Sequence, residues 1–214
     1  MGITERKQRE KEQRRQDIIL TAEEIIFSRG IETATVDAVA EAAELSKGTV
    51  YLYFKNKEEL IAAVFHRGMD LLQKMMVDAA VANRSAIEKL RGLGKVYLDF
   101  AREYPDHFAL MLAKELHKMD ADETKPEAVS CIRAGLDVLN ILKMTLIEGI
   151  QEGSVRADVD PAQLALIIWG QIHGVIAIAS QKASCEHFRE FCIIDLETIV
   201  PATIDVIIKG IQRR

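Results

Sequence analysis

Apolar side chains recur at helical spacing along almost the whole chain, and this periodicity most constrains what the chain can fold into. One predicted helix carries Ile18, Ile19, Ala22, Ile25 and Ile26 on a single stripe, as an amphipathic helix requires. The polar–apolar alternation that would indicate strands is nearly absent. The sequence therefore predicts an all-α protein of about nine helices.

Three short predicted helices near the N-terminus suit a helix-turn-helix unit. The first ends at Gly30, which can adopt a left-handed backbone conformation. Thr35 is a suitable N-cap for the second helix, and Ser46 for a third that ends near Phe54. Only a few residues separate the second helix from the third, which favours a helix-turn-helix.

Longer helices follow, and their start signals are clear. Asn56 and Ser85 each precede a glutamate by three residues, which is the spacing of a capping box. Asp160 and Pro161 combine an N-cap with a proline at the first helical position. A last predicted helix contains Pro201, which predicts a kink or a break.

A nearly apolar stretch spans residues 164–179 and is interrupted by Gln171 and His173. It is shorter than the roughly 20 residues that cross a bilayer, so it predicts a buried helix. Such a helix needs cover on nearly every side. Two interpretations remain open, a homodimer formed through the last two helices and a core helix within one chain.

Charge is unevenly distributed along the chain, although its net value is −5 at pH 7. Six basic residues stand against three acidic ones between Glu5 and Arg15, and residues 45–57 contain three lysines and no acid. Either window is compatible with an ordinary solvated surface or with a nucleic-acid partner. The charged N-terminus lacks the apolar segment of a signal peptide, so we expect a cytoplasmic protein and no membrane partner.

The cysteines and histidines predict neither a metal site nor a cofactor. Cys131, Cys185 and Cys192 are odd in number and have no CxxC spacing, so reduced structural thiols are favoured over a redox sensor built on Cys185 and Cys192. The five histidines lack metal-ligand spacing. His173, four residues after Trp169, is interpreted either as a core or interface histidine or as an effector contact.

Residues 35–58 combine a helix, a tight turn and a second short helix with hydroxyl, phenol and ammonium side chains. Such groups hold a helix on phosphates and reach base edges in the major groove. Backbone amides at a helix N-terminus add an anion site. The window therefore points to double-stranded DNA as a partner.

Here the chain closely resembles the DNA-binding domain of the tetracycline-repressor (TetR/AcrR) family. The resemblance implies a helix-turn-helix DNA-binding domain with an N-terminal arm in residues 1–56 and a larger helical effector-binding and dimerisation domain in residues 57–214. The residues that carry it are Arg14, Arg15, Ile19, Leu20, Ala22, Phe27, Gly30, Thr35, Val36, Val39, Ala40, Ala43, Ser46, Lys47, Gly48, Thr49, Tyr51, Tyr53, Phe54, Lys57 and Leu60.

The resemblance also implies which residues contact DNA. A phosphate contact is expected at the start of the second helix, base reading above all by Lys47, and backbone contacts beyond the recognition helix. Val50 and Phe54 are expected to face the core. The full set of DNA-binding candidates is Thr35, Ser46, Lys47, Gly48, Thr49, Tyr51, Tyr53 and Lys57.

One position departs from the family pattern. Glu44 stands in the turn between the second and third helices, where the family usually has glycine. If this position requires a positive φ, glutamate there costs roughly 1 kcal/mol. The tilt of the recognition helix is the property that this departure affects.

An effector pocket is expected among the fourth to eighth helices, because flexible methionines and aromatic rings occur on their apolar faces. The same side chains could instead fill a core. The sequence favours a repressor released from its operator by a small, largely hydrophobic effector over an effector-independent architectural or adaptor protein, and it lacks catalytic motifs. The candidate effector-binding residues are Met75, Phe108, Met111, Met144, Trp169 and His173.

Overall fold

A computed structural model describes residues 2–113, 124–182, 186–187 and 195–213. Across these ranges the chain is all α, as predicted, and apart from one antiparallel bridge between Val155 and Gln212 it has no β-pairing. The helices are α1 (Ile3–Arg29), α2 (Val36–Ala42), α3 (Lys47–Tyr51), α4 (Lys57–Ala82), α5 (Ala86–Glu103), α6 (Pro105–Met111), α7 (Pro126–Glu152), α8 (Pro161–Lys182) and α9 (Leu196–Ile211), with a 3₁₀ turn at Ile31–Thr33.

The chain divides into two compact units. Unit 1 comprises Met1–Gly68 and Ala109–Ile132, and unit 2 comprises Met69–Phe108 and Arg133–Arg214. Helix α4 therefore begins in unit 1 and continues into unit 2. The predicted domain boundary between residues 56 and 57 coincides with the start of α4 and stays a prediction.

Unit 1 is built on capped short helices packed over the apolar stripe of α1. The side chain of Thr35 accepts a hydrogen bond from the Ala38 amide at 3.1 Å, and Ser46 accepts one from the Thr49 amide at 3.1 Å. Helix α1 contacts α2, and α2 contacts α3. The buried residues that form this core include Ile18, Ile19, Ala22, Ile25, Ile26, Val39, Ala40, Val50, Phe54 and Leu60.

The start of α4 is capped differently from the sequence prediction. The Glu59 amide donates to Asn56 Oδ1 at 2.7 Å, as a capping box requires. The Glu59 carboxylate, however, accepts from the Lys55 amide at 2.7 Å. The box predicted at Ser85 is complete, since the side chains of Ser85 and Glu88 each bond the other's backbone amide.

In unit 2, α5 packs against both α8 and α9, and α8 also contacts α9. A glycine permits the closest approach, because a Cβ at Gly94 would lie 2.6 Å from Ile204 Cδ1. The Lys89 ammonium on α5 also pairs with the Glu148 carboxylate on α7 at 2.6 Å. Helix α9 continues through Pro201 without the break that the sequence allowed.

Helix α8 is long and apolar enough to cross a membrane by length and composition, with a mean hydropathy of 1.6 over Pro161–Ser180. It is the one such helix among the described residues, and a third of it is buried. A core or interface helix of a soluble protein has the same character, so this is weak evidence for a membrane span.

The structure describes one of the three cysteines, Cys131. The thiol of Cys131 is buried, consistent with a structural role. Cys185 and Cys192 lie outside the described residues.

The turn between α2 and α3 contains the one non-glycine residue with a positive φ in the described chain, Glu44 at 55°. This is the left-handed region, where a Cβ is strained and glycine is not. The sequence-based suspicion about this position is therefore confirmed in its geometry.

Glu44→Gly should raise the free energy of unfolding by about 1 kcal/mol, because it relieves this strain. Urea denaturation followed by circular dichroism measures the change. Glu41→Gly is the matched control, since Glu41 is exposed within α2 and glycine inside a helix costs roughly 0.5–1 kcal/mol. Equal destabilisation by both variants would contradict the assignment of strain to Glu44.

Candidate functional site

Helix α3 is a five-residue helix held in place by its own cap and by two buried side chains. Ser46 caps its first turn, and the Ser46 and Thr49 hydroxyls are 2.8 Å apart. Val50 and Phe54 are 0% and 1% exposed, so both face the core as predicted. Because these anchors fix its rotation, α3 presents a defined face to solvent.

The solvent face of α3 carries polar and apolar groups side by side. Ser46, Lys47 and Gly48 are exposed, and Tyr51 is 50% exposed. A Cβ at Gly48 would have only Ser46 Oγ, 3.9 Å away, within 4 Å. Packing within the protein therefore does not require glycine at this position.

Lys47 is held by an acidic partner that the sequence did not indicate. Its Nζ lies 2.6 Å from Asp37 Oδ2 on α2, and both side chains are more than half exposed. The hydrogen bond and the charge of Asp37 raise the pKa of Lys47. The pair links α2 to α3 at the protein surface.

Lys57, at the start of α4, is also partnered. Its Nζ lies 2.9 Å from Glu32 Oε2 and donates to the Glu32 carbonyl at 3.1 Å. The Lys57 side chain is 26% exposed, and Tyr53 is half-buried beside the start of the same helix. Both residues therefore keep polar groups near the surface that bears α3.

Basic side chains lie along the first half of α1. Five of the six basic residues between Glu5 and Arg15 are exposed and Arg15 is half-buried, although Arg6 pairs with Glu10 at 2.8 Å. The Arg15 guanidinium lies 5.2 Å from the centre of the Phe54 ring, a cation–π contact. Unit 1 therefore combines a capped, exposed short helix with cations, the donor set that binds phosphates and base edges.

Unit 2 contains a cluster of four aromatic side chains, which we call the ring cluster: Tyr97, Phe108, Trp169 and His173. The Trp169 and His173 rings stack with centres 4.8 Å apart. The Phe108 ring lies 5.4 Å from His173 and 5.9 Å from Tyr97. The structure thus brings together three of the predicted effector residues from α6 and α8.

Hydrogen bonds fix the polar atoms of the ring cluster. Trp169 Nε1 donates to Tyr97 Oη at 3.3 Å, and Tyr97 Oη is 2.6 Å from His173 Nδ1. Burial raises the pKa of Tyr97, against the opposing hydrogen bond from Trp169, so the phenol stays protonated. The Tyr97 hydroxyl and His173 Nδ1 therefore share one hydrogen bond, whose donor depends on the tautomer of the imidazole ring.

The three candidate methionines are not in the ring cluster. Met144 is 53% exposed and lines a surface pocket of about 470 Å³ with Lys89, Thr145 and Glu148. Met75 is half-buried on the part of α4 that belongs to unit 2, whereas Met111 belongs to unit 1. Their roles as effector contacts stay predictions.

Sequence reasoning missed Tyr97, Asp37 and Glu32. Tyr97 is separated by 76 residues from its partner His173. Helical spacing marks Tyr97 only as one of the apolar residues of α5, and no local signal distinguishes it. The same described residues contain no group of three or more His, Cys, Asp or Glu side chains that could hold a metal ion.

Comparison with known proteins assigns both parts of the chain. Residues 18–64 match bacterial regulatory proteins of the tetR family, and residues 90–191 match the tetracyclin repressor-like C-terminal domain. The fatty acid metabolism regulator protein of Bacillus subtilis (strain 168) is 30% identical over 155 residues, which cover 72% of this chain and 77% of that protein. This chain belongs to the tetR family.

Two further comparisons extend over most of the chain. The HTH-type transcriptional repressor DhaR of Mycobacterium sp. (strain GP1) is 24% identical over 201 residues, 88% of this chain and 93% of that protein. The crystal structure of the regulator FadR from Bacillus subtilis, in complex with stearoyl-CoA, shares the fold with a TM-score of 0.74 and 23% identity, covering 91% of this chain and 98% of that one. This tetR-family protein is a DNA-binding transcriptional regulator, and the family's members are regulators rather than enzymes.

Two lysine variants should separate phosphate contacts from base reading. Lys57→Ala should weaken binding about equally on operator and random DNA and lower the salt slope by about 1, because a phosphate contact is lost. Lys47→Ala should mainly reduce the preference for operator. Fluorescence anisotropy at several salt concentrations measures both.

Lys74→Ala, which removes an exposed lysine from α4, is the matched control and should leave both binding constants within twofold. Circular dichroism checks that Lys57→Ala folds without its Glu32 contacts. Equal effects of the Lys47 and Lys57 variants on operator and random DNA would remove the base-reading role of Lys47.

Proposed function

We propose that this tetR-family regulator is a cytoplasmic, homodimeric repressor that leaves its operator when a small, largely hydrophobic effector binds in unit 2. The ring cluster carries this proposal, because it combines large apolar surfaces with one fixed polar chain of Trp169, Tyr97 and His173. Ligand sites typically have this composition. The relative DhaR is a transcriptional repressor, which supports repression as the mode of regulation.

The proposed DNA contacts lie on unit 1. Thr35 and Lys57 hold phosphates, with Tyr53 beside them, while Ser46, Lys47, Gly48, Thr49 and Tyr51 face the major groove. The exposed solvent face of α3 supports this assignment, since its anchors Val50 and Phe54 point the other way. The alternative is an effector-independent DNA-binding protein. A ring cluster that is closely packed and binds no ligand would favour this alternative.

A long acyl chain is the proposed effector class. The structurally similar FadR binds stearoyl-CoA, whose chain is apolar and whose thioester is polar. In this chain, Phe108 is 3% exposed and packs on Tyr97 and His173, which offers an apolar wall beside a polar group. We propose that occupancy here is transmitted by α4, since that helix continues from unit 1 into unit 2.

Stearoyl-CoA should lower operator affinity by a factor of about 5 to 150, the usual range of allosteric coupling. Fluorescence anisotropy of a labelled promoter fragment measures this factor, with coenzyme A lacking the acyl chain as the control ligand. In Trp169→Ala this factor should fall to about twofold or less, whereas operator affinity without ligand should stay within about twofold of the wild type.

Val81→Ala is the control variant, because Val81 is 81% exposed on α4 and should respond like the wild type. An acyl ligand that binds tightly near the ring cluster and leaves operator affinity unchanged would refute the proposed coupling.

The proposed dimer forms through α8 and α9. Ile167 and Ile178 on α8 are 55% and 54% exposed, and Val206 on α9 is 71% exposed. Gly170 and Gly174 lie on the same face of α8 as the two isoleucines, and a Cβ at either glycine would meet nothing within 4 Å. Glycine at these positions lets another helix approach closely, which supports a partner subunit as the cover.

The double variant Gly170→Ala, Gly174→Ala should weaken the dimer about 5- to 150-fold, because overpacking an interface typically costs roughly 1–3 kcal/mol. It should not weaken the subunit, since alanine favours a helix over glycine. Sedimentation equilibrium gives the dimer dissociation constant. Gly135→Ala on α7, also open at its Cβ position, should leave the dimer unchanged, and a stable wild-type monomer at micromolar concentration would contradict the proposal.

A further inference from the structure

Leu52, directly after α3, is exposed to a degree that the rest of unit 1 avoids. Its exposure is 80%, whereas Tyr51 is 50% and Leu20 is 38% exposed. No other large apolar residue described in unit 1 exceeds 50%. Leu52 therefore places an apolar side chain in solvent at the end of α3, between the two buried anchors Val50 and Phe54 in sequence.

Leu52 and Gly48 form one ridge of the recognition helix. Leu52 has helical dihedral angles of −70° and −20°, so it continues the direction of α3. Residues four apart lie on the same face of a helix, and Val50, between them in sequence, points to the core with 0% exposure. The Gly48–Leu52 ridge is therefore the part of α3 farthest from the core.

The composition of this ridge favours close contact with another molecule. Nothing in the protein requires glycine at position 48, since its Cβ would stand in open space beside Ser46 Oγ. Because Gly48 has no Cβ, the backbone of α3 can approach a partner closely at this position. The side chain of Leu52, one helical turn further along α3, then reaches the same surface of the partner. The flanking side chains Lys47 and Lys55 are exposed cations, which suit a polyanionic duplex.

We propose that Leu52 reads a thymine in the operator by packing against its C5 methyl group. Thymine methyls are the apolar groups that bases present in the major groove, and apolar side chains recognise them. The inference rests on the proposed placement of α3 in that groove. It adds to the predicted set a base-reading residue that forms no hydrogen bond.

Deoxyuridine substitution tests this directly, because it removes the methyl and keeps every hydrogen-bonding group. The operator is mapped by footprinting on promoter DNA, and each thymine is replaced singly in synthetic duplexes. For the wild type, one position per half-site should lose about fourfold in affinity, as expected for one buried methyl. Leu52→Ala should bind the thymine duplex about as weakly as the wild type binds the deoxyuridine duplex, and should show no loss at that position.

Val81→Ala is the matched control, since it truncates an equally exposed aliphatic side chain in unit 2, and it should keep the wild-type loss. Two results would overturn this inference alone. One is a wild type that binds its operator equally well whichever thymine is replaced by deoxyuridine. The other is a Leu52→Ala variant that loses as much affinity on that replacement as the wild type does. A wild type that binds no promoter DNA would overturn the proposed function with it.

Discussion

Burial of Val50 and Phe54 is the interaction on which the DNA-binding surface depends. A five-residue helix is not stable by itself in water, so α3 exists because these side chains, 0% and 1% exposed, bury it in the core of unit 1, where α3 contacts α2. The Ser46 cap then satisfies its first amides. Because α3 is fixed in this way, the positions of Lys47, Gly48 and Leu52 are fixed as well. These residues belong to the face that we propose contacts DNA.

Unit 2 relies on a different kind of constraint. The hydroxyl of Tyr97 accepts from the Trp169 indole and shares a hydrogen bond with His173 Nδ1, so three side chains from two helices hold one another in place. Buried polar groups are costly unless they are satisfied in this way. A ligand that enters the ring cluster must either leave these hydrogen bonds intact or replace them. An apolar ligand is favoured if the hydrogen bonds stay intact, because it offers no groups to replace them. This is the physical reason for proposing a hydrophobic effector.

Local features of this fold were predictable from sequence, and long-range ones were not. The caps at Thr35, Ser46 and Ser85 involve neighbours three residues away, so composition and spacing are sufficient to find them. Partners of Lys47 and Lys57 lie 10 and 25 residues away, and the partner of Tyr97 lies 76 residues away. Helical periodicity places each of these residues on one face of its own helix, but it does not predict which other helix or loop that face contacts.

The central claim is that effector binding in unit 2 and operator binding by unit 1 are coupled, and linkage requires that coupling to be reciprocal. The most direct measurement is the dissociation constant of stearoyl-CoA, read from the fluorescence of Trp169, the one tryptophan in the chain, with and without saturating operator duplex. The account predicts that operator weakens effector binding by the same factor by which effector weakens operator binding. An effector affinity that is identical in the presence and absence of operator would contradict it.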